Sequence, residues 1–440
     1  MSPSWYKRAA CLLILILGSL RFLVHGYRES VSSNYHARDF KPVYSGALCL
    51  LHHCNPYDED QIKDQFVLSG GDLRDPIPFI KHNANYAPPA LFVVTPVALL
   101  PWHIADPLWL LLSASLLVVS AFLTFDLCRP FSPLLSSLCI DLLLAGSMIM
   151  MVVLQPACMA IALCVIAVWC LLKRRYSVLA TVCFALSLAI KPQIGGLVWL
   201  YFLLAEPLYR KRAIQIFLAS LALYIPAMLW VSLTPASAHW VRDLHANLAG
   251  IAARGNFSDP GPTNPDANVF TNLQALFSLF RDDPAVYNKA AWGIVGVLFL
   301  VWMYLVLRMQ PSIRKDYLAL ASIACLSLLP VYHRAYDARL LMLIFPAVAL
   351  LLAEAKIAGK LALVLSLIAV WLTSTGQQHF PKVWWLSPNA ELGLLATIAV
   401  QRHIPVVLLG LSVLFLVCMW EAARRNGMEE RISAELAAAT

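Results

Sequence analysis

Charge is what this sequence lacks: Asp, Glu, Lys and Arg make up 13% of its 440 residues, against about 25% in an average soluble domain. With 60% of residues hydrophobic and a mean hydropathy of +0.70, an ordinary soluble chain is excluded, because one core cannot hide that much apolar surface. No glycine-rich phosphate loop occurs, so intrinsic nucleotide hydrolysis is not expected. No HExxH sequence occurs either, and His52-His53 with Cys54 falls short of a full metal-ligand set. No internal repeat is visible, which counts weakly against an inverted-repeat transporter.

What is present is a series of apolar blocks, at 8–27, 89–102, 107–127, 131–151, 156–172, 177–190, 193–205, 213–233, 285–308, 317–331, 338–354, 358–375 and 403–421. Several approach the roughly 20 residues that span a bilayer as a helix. The formal charge of +8 comes largely from short basic clusters between blocks, such as Lys7-Arg8, Lys173-Arg174-Arg175, Arg210-Lys211-Arg212 and Arg314-Lys315. That is the positive-inside pattern, so the charge sets topology and implies no nucleic-acid partner. Lys7-Arg8 followed by Ala9 to Leu20 resembles a signal peptide, but Arg21, His25 and Tyr27 stand where a small-residue cleavage site would be. A retained first helix is expected.

With the basic clusters inside, both termini are cytoplasmic and the number of crossings is even, about twelve. One block therefore does not cross. The suspect is 89–102, which is short and carries Pro96 and Pro101; a re-entrant segment of this kind needs protein or a watery cavity to cover it. The expected organisation is an N-terminal helix (1–27), a large first extracytoplasmic loop (28–88) and core helices (89–233). A second outer loop (234–284), C-terminal helices (285–421) and a cytoplasmic tail (422–440) complete it, with a further outer stretch at 376–402. Most of the eleven cysteines lie in apolar blocks and act as small hydrophobes. Cys49 and Cys54 share the first loop and can form a disulfide if it is extracytoplasmic. In the same loop, 41–53 has the pattern of an amphipathic helix lying on the membrane. The stretch 250–268, rich in Gly, Asn, Asp and Pro, reads as a lid or plain surface, and Asn256-Phe257-Ser258 fits a glycosylation acceptor pattern.

Few polar residues stand out as chemistry. Asp39, in Arg38-Asp39-Phe40, lies among aromatics near the membrane surface; desolvation there would raise its pKa and make it a better proton acceptor near neutrality. It is otherwise a plain loop aspartate. Asn55-Pro56-Tyr57-Asp58 and Asn85-Tyr86-Ala87-Pro88-Pro89 have turn chemistry and bracket the loop. Lys191-Pro192 falls on the outer side, against the charge trend; Lys191 either meets a phosphate or snorkels to the interface. His333-Arg334-Ala335-Tyr336-Asp337 gathers an imidazole, a cation and a carboxylate. Arg334 there suits a phosphate, or else Arg334 or Arg339 pairs with Asp337.

Taken in order, these features resemble glycosyltransferase family 87 of the GT-C superfamily, bacterial polytopic enzymes whose characterised members are polyprenyl-phosphate-mannose-dependent mannosyltransferases. The likeness rests on Asp39-Phe40 with Tyr44, Asn55-Pro56-Tyr57-Asp58, Tyr86 before Pro88-Pro89, the Pro96 to Pro101 segment, Gln155 and Lys191-Pro192. It covers roughly residues 30 to 200. Gln155 departs from the pattern in being followed by Pro156 rather than standing near an Asn.

The resemblance implies an all-α polytopic membrane protein of GT-C fold. It implies Asp39 as general base, with Lys191, His333 and Arg334 at the donor phosphate and Tyr44, Tyr57, Tyr86 and Gln155 around the substrates. The donor would be a polyprenyl-phosphate sugar, mannose in the characterised members, and the acceptor a glycolipid or glycan. Transfer would be inverting, on the outer face of the cytoplasmic (inner) membrane, with membrane lipids around the chain and no further cofactor or metal. The alternatives are a transporter or flippase of lipid-linked sugars, using the same cavity without bond breaking, and a non-catalytic membrane assembly factor.

Overall fold

A computed structural model of the chain describes residues 5–73, 84–374 and 393–439. Parts of the expected outer stretches 28–88 and 376–402 therefore lie outside the described residues. The chain opens with α1 (Trp5–Ser32), α2 (Lys41–Leu51) and α3 (Glu59–Leu68). It continues through α4 (Pro88–Ala98), α5 (Trp102–Cys128), α6 (Pro133–Ala145), α7 (Met148–Val153), α8 (Pro156–Leu172), α9 (Ser177–Ile190), α10 (Pro192–Leu204) and α11 (Pro207–Leu233). After α12 (Trp240–Ala252) and α13 (Leu273–Phe277) come α14 (Pro284–Arg308) and α15 (Ile313–Ser327). A 3-10 segment, Ala335–Ile344, runs into α16 (Phe345–Ala353), and α17 (Ile357–Leu372), α18 (Leu394–Gln401) and α19 (His403–Ala439) complete the order. Among the described residues there is no β-strand, only an isolated bridge between Phe270 and Arg334.

Proline punctuates these helices. α4, α6, α8, α10, α11 and α14 each begin on a proline, where its missing N–H leaves no gap because first-turn amides have no helical partner. Side chains satisfy the remaining amides at other starts: Asp58 accepts from the backbone N–H groups of Asp60 and Gln61, and Ser312 accepts from that of Lys315.

Seven helical stretches are long and apolar enough to cross a membrane: Trp5–Ser32, Trp102–Cys128, Pro133–Val153, Pro207–Leu233, Pro284–Arg308, Ala335–Ala353 and His403–Arg424. The protein is thus an all-helical, multi-pass membrane protein. The apolar helices α4, α8, α9, α10 and α17 are shorter, with 10–17 residues each. α4, which covers most of the block suspected of not crossing, has 11 residues and rises only about 16 Å, half the hydrocarbon thickness. α8 lies at the centre of the bundle, with Ala157, Ala160, Cys164 and Ala167 fully buried. Its small side chains admit α9 closely, so that the Ser187 hydroxyl donates to the Ala160 carbonyl at 2.7 Å.

The expected surface helix at 41–53 forms, but it does not lie on a surface: residues 41 to 50 are all buried. Its apolar side chains are not confined to one stripe. Phe40 stacks on Trp109 at 4.5 Å between ring centroids, Tyr44 meets Trp102 at 5.1 Å, and Gly46 faces Leu91 of α4. Cys49 and Cys54 are joined as a disulfide at the end of this helix.

Following α8 and α9 down and back places Gln155 and Lys191 at one end of the bundle and Lys173 to Tyr176 at the other. At that second end a pocket lined by Arg174, Glu206, Tyr209, Lys315 and Asp316 joins the turns between α8 and α9, α10 and α11, and α14 and α15. The basic clusters gather there; the candidate residues of the sequence gather at the first end. α17 crosses α16 so closely that a Cβ at Gly359 would overlap the backbone carbonyl of Leu351. Gly359→Ala is therefore expected to lower stability by about 1–3 kcal/mol, read as an earlier thermal transition in detergent, whereas Gly296→Ala, where a Cβ meets open space, should leave it unchanged.

Candidate active site

The segment after α1 is laid against the end of α7 by backbone bonds. The Ala37 N–H donates to the Val152 carbonyl at 2.9 Å and the Asp39 N–H to the Val153 carbonyl at 3.0 Å. Two left-handed residues shape this join, Ala37 with φ of 54° and Leu154 with φ of 49°, conformations that non-glycine side chains rarely adopt and that cluster at functional sites. The turn at Leu154 presents Gln155 as the N-cap of α8. The Gln155 amide nitrogen donates to Asp39 Oδ2 at 2.5 Å, and its oxygen accepts from the Tyr86 hydroxyl at 2.5 Å. Tyr57 in turn donates its hydroxyl to the Tyr86 carbonyl at 3.1 Å.

A second cluster faces Asp39. Lys191, between α9 and α10, donates from Nζ to Asp337 Oδ1 at 2.6 Å, with its side chain 12% exposed. His333 Nδ1 lies 3.0 Å from Asp337 Oδ2, both side chains being buried. Arg334 donates to the Tyr332 hydroxyl at 2.6 Å, to the Phe257 carbonyl at 3.1 Å and to Asp266 Oδ2 at 3.1 Å. The snorkelling of Lys191 and the arginine pairing of Asp337 are thereby replaced. Lys191 does not snorkel, and Asp337 pairs with Lys191 and His333 rather than with either arginine. Arg339 instead lies wholly buried in the bundle and donates to the carbonyls of Leu143 and Thr373 near the C-terminal ends of α6 and α17, where helix dipoles favour a cation.

Burial pushes the Asp39 carboxyl above its ordinary range, opposed by the positive charges of Arg38, Arg334 and Lys191. The Tyr86 hydroxyl is held well above its ordinary value by burial and by the nearby Asp39 charge, so it acts as a neutral hydrogen-bond donor. Burial lowers the His333 imidazole, against the pull of Asp337. A neutral ring donating from Nδ1 to Asp337 has its lone pair on Nε2, a tautomer inferred from the bond partner; Nε2 has no hydrogen-bond partner among the described residues. No cluster of three or more His, Cys, Asp or Glu side chains that could hold a metal ion occurs among the described residues.

The structure thus brings together Asp39, Gln155, Tyr86, Tyr57, Lys191, His333 and Arg334. It leaves Tyr44 apart: that ring is fully buried and its hydroxyl donates to the Leu100 carbonyl at 2.7 Å, which ties α2 to the turn after α4. Three contributors escaped the sequence reading. Asp243 of α12 accepts from the Asn55 amide at 2.9 Å, Asn247 donates to the carbonyls of Tyr57 and Ala84 at 3.0 Å each, and Phe257 packs its ring under Arg334. The stretch 250–268 is knotted rather than plain surface, with buried Asp259 accepting from the backbone N–H groups of Gly255 and Gly261.

A half-buried carboxylate, hydrogen-bonded tyrosines and acid-paired cations thus meet at one end of a multi-pass helical bundle. The model of glycosyltransferase family 87 matches residues 85–331, more than half of the chain. The chain belongs to that family, and is a membrane glycosyltransferase. The match takes in Tyr86, Gln155 and Lys191, while Asp39, Tyr44 and Tyr57 precede it and His333 and Arg334 follow it. No curated protein and no solved structure matches the chain.

Asp337 is the one acid shared by Lys191 and His333 at the site end, so its removal would strand a cation in a buried place. Asp337→Ala is expected to cost about 3–5 kcal/mol of stability, measured by thermal unfolding in detergent. Lys191→Met with Asp337→Asn in one chain should recover most of that loss, because the charge then leaves as a pair.

Proposed function

We propose that this glycosyltransferase takes a hexose, mannose first, from a polyprenyl-phosphate sugar and delivers it to a hydroxyl of a glycolipid or glycan. The observation that carries the proposal is the Asp39 carboxylate, fixed by Gln155 at 2.5 Å and facing the Lys191 and Arg334 cations, with the neutral His333 in the same cluster. The acceptor oxygen attacks the anomeric carbon and its proton passes to Asp39. The bond from that carbon to the phosphate oxygen breaks with inversion, and the electron pair leaves on the polyprenyl phosphate, stabilised by the cationic cluster. Tyr57, Tyr86 and Gln155 line the approach to the base.

The chain crosses the membrane about twelve times in this proposal, in a GT-C arrangement, with the site on the extracytoplasmic side of the cytoplasmic membrane. Two observations support that side. The basic clusters 173–175, 210–212 and 314–315 lie at the opposite end, as positive-inside topology requires. The Cys49–Cys54 disulfide lies in the polar stretch at the site end, and disulfides persist in oxidising compartments.

The test is sugar transfer from synthetic polyprenyl-phosphate mannose by purified protein in vesicles. Asp39→Asn is expected to reduce turnover about 10²–10⁴-fold with donor binding retained; equal turnover would remove Asp39 as the base, and donor translocation without transfer by the wild type would favour a flippase. A base works deprotonated, and burial raises Asp39, so kcat/KM should fall on acidification at a pH above the ordinary carboxylate range. Gln155→Leu withdraws a hydrogen bond from the charged form. The acid limb should then move to still higher pH.

A further inference from the structure

Each cation so far placed near the donor phosphate is already engaged by an acid: Lys191 by Asp337 at 2.6 Å and Arg334 by Asp266 at 3.1 Å. Arg38, next to Asp39 in the chain, is different. Among the described residues no carboxylate lies within ion-pairing distance of its guanidinium, and its buried Nε–H has no hydrogen-bond partner. The group is held by aromatic faces instead, its Cζ lying 4.4 Å from the Phe257 ring centroid and 5.8 Å from that of Tyr35. Arg334 lies over the same Phe257 ring at 3.4 Å.

Two guanidinium groups sharing one ring repel each other, and an aromatic face offsets only part of the cost of desolvating a cation. What keeps the ring in place is a closed set of bonds. The Ser258 N–H donates to the Ile251 carbonyl at 3.0 Å, Asn264 donates to the Asp259 carbonyl at 2.7 Å, and Arg334 holds the Phe257 carbonyl. A planar fork whose N–H groups have no hydrogen-bond partner among the described residues, held by stacking and half-buried beside a carboxylate, is the arrangement that recognises a phosphate by paired hydrogen bonds.

We propose that Arg38 is the residue that directly binds the phosphate of the lipid-linked donor, and that Phe257 is the positioning residue that aims it. Lys191 and Arg334 then supply field around the phosphate, and Arg38 supplies its hydrogen bonds. This rests on the proposed polyprenyl-phosphate donor.

The experiment uses full-length protein in detergent and two probes with the same tail, farnesyl phosphate and farnesol, titrated by intrinsic tryptophan fluorescence. The wild type is expected to bind the phosphate at least about tenfold more tightly than the alcohol, the worth of a charge-assisted pair. In Arg38→Gln that gap should close almost entirely, and in Phe257→Leu it should narrow, while farnesol binding stays unchanged in both. Arg38→Lys keeps the charge but loses the fork and should recover only part of the gap. A variant that merely misfolds would lose farnesol as well, so the alcohol reports folding within the same titration. An undiminished gap in Arg38→Gln overturns the assignment and leaves the donor class standing. Failure of the wild type to distinguish phosphate from alcohol overturns the donor class, and the assignment with it.

Discussion

The hydrogen bond from Gln155 to Asp39 spans 116 residues of sequence and fixes the first polar stretch against the centre of the bundle. It works because Gln155 is anchored twice over. Pro156 starts α8 immediately behind it, and the left-handed Leu154 turns the chain so that the amide faces outward from the helix start. The other end of that amide accepts from Tyr86, which lies just before α4. One side chain therefore joins the segment after α1, the entry to α4 and the buried axis of α8. A strained residue beside such a junction is tolerated only because the surrounding bonds over-determine it.

Charge at the site end is balanced locally rather than diluted by solvent. Lys191 and His333 share Asp337, and Arg334 has Asp266. Truncating one member of a buried pair exposes the full desolvation cost of the other, so the cluster is rigid by mutual dependence. Deeper in the bundle the same constraint is met differently. Arg339 has no acid within ion-pairing distance among the described residues and rests on helix-end carbonyls, a weaker but sufficient counter-charge.

Local features were legible in the sequence. Hydropathy located nearly every long helix, and Asn55 to Asp58 is a turn whose last residue caps α3. The family likeness was legible as well; of the residues it rested on, the family match covers Tyr86, the Pro96 to Pro101 segment, Gln155 and Lys191, whereas Asp39, Tyr44 and Asn55 to Asp58 precede it. What escaped was pairing across distance. Lys191 and Asp337 lie 146 residues apart, and Asn55 and Asp243 lie 188 apart; nothing in either local pattern names the other. The Lys41–Leu51 helix was misplaced for a related reason, since a short apolar pattern cannot say whether lipid or Trp102 and Trp109 will cover it. Arg38, next to Asp39 in the chain, carries no distinguishing local pattern, because an arginine becomes distinctive only when its partners, or their lack, are visible.

The arrangement has a consequence for the electrostatics of the proposed reaction. A sugar phosphodiester carries one negative charge, and the monoester that leaves carries up to two. Asp39 begins anionic and becomes neutral as it accepts the acceptor's proton. The charge therefore moves from carboxylate to phosphate while the local sum stays the same. A set of cations that faces both groups need not rearrange for this shift, since Arg38, Arg334 and Lys191 all act on the Asp39 charge in the resting site. Groups fixed in advance where charge develops are the most effective form of transition-state stabilisation. In the proposed reaction that fixed field would stand in for solvent around the leaving phosphate.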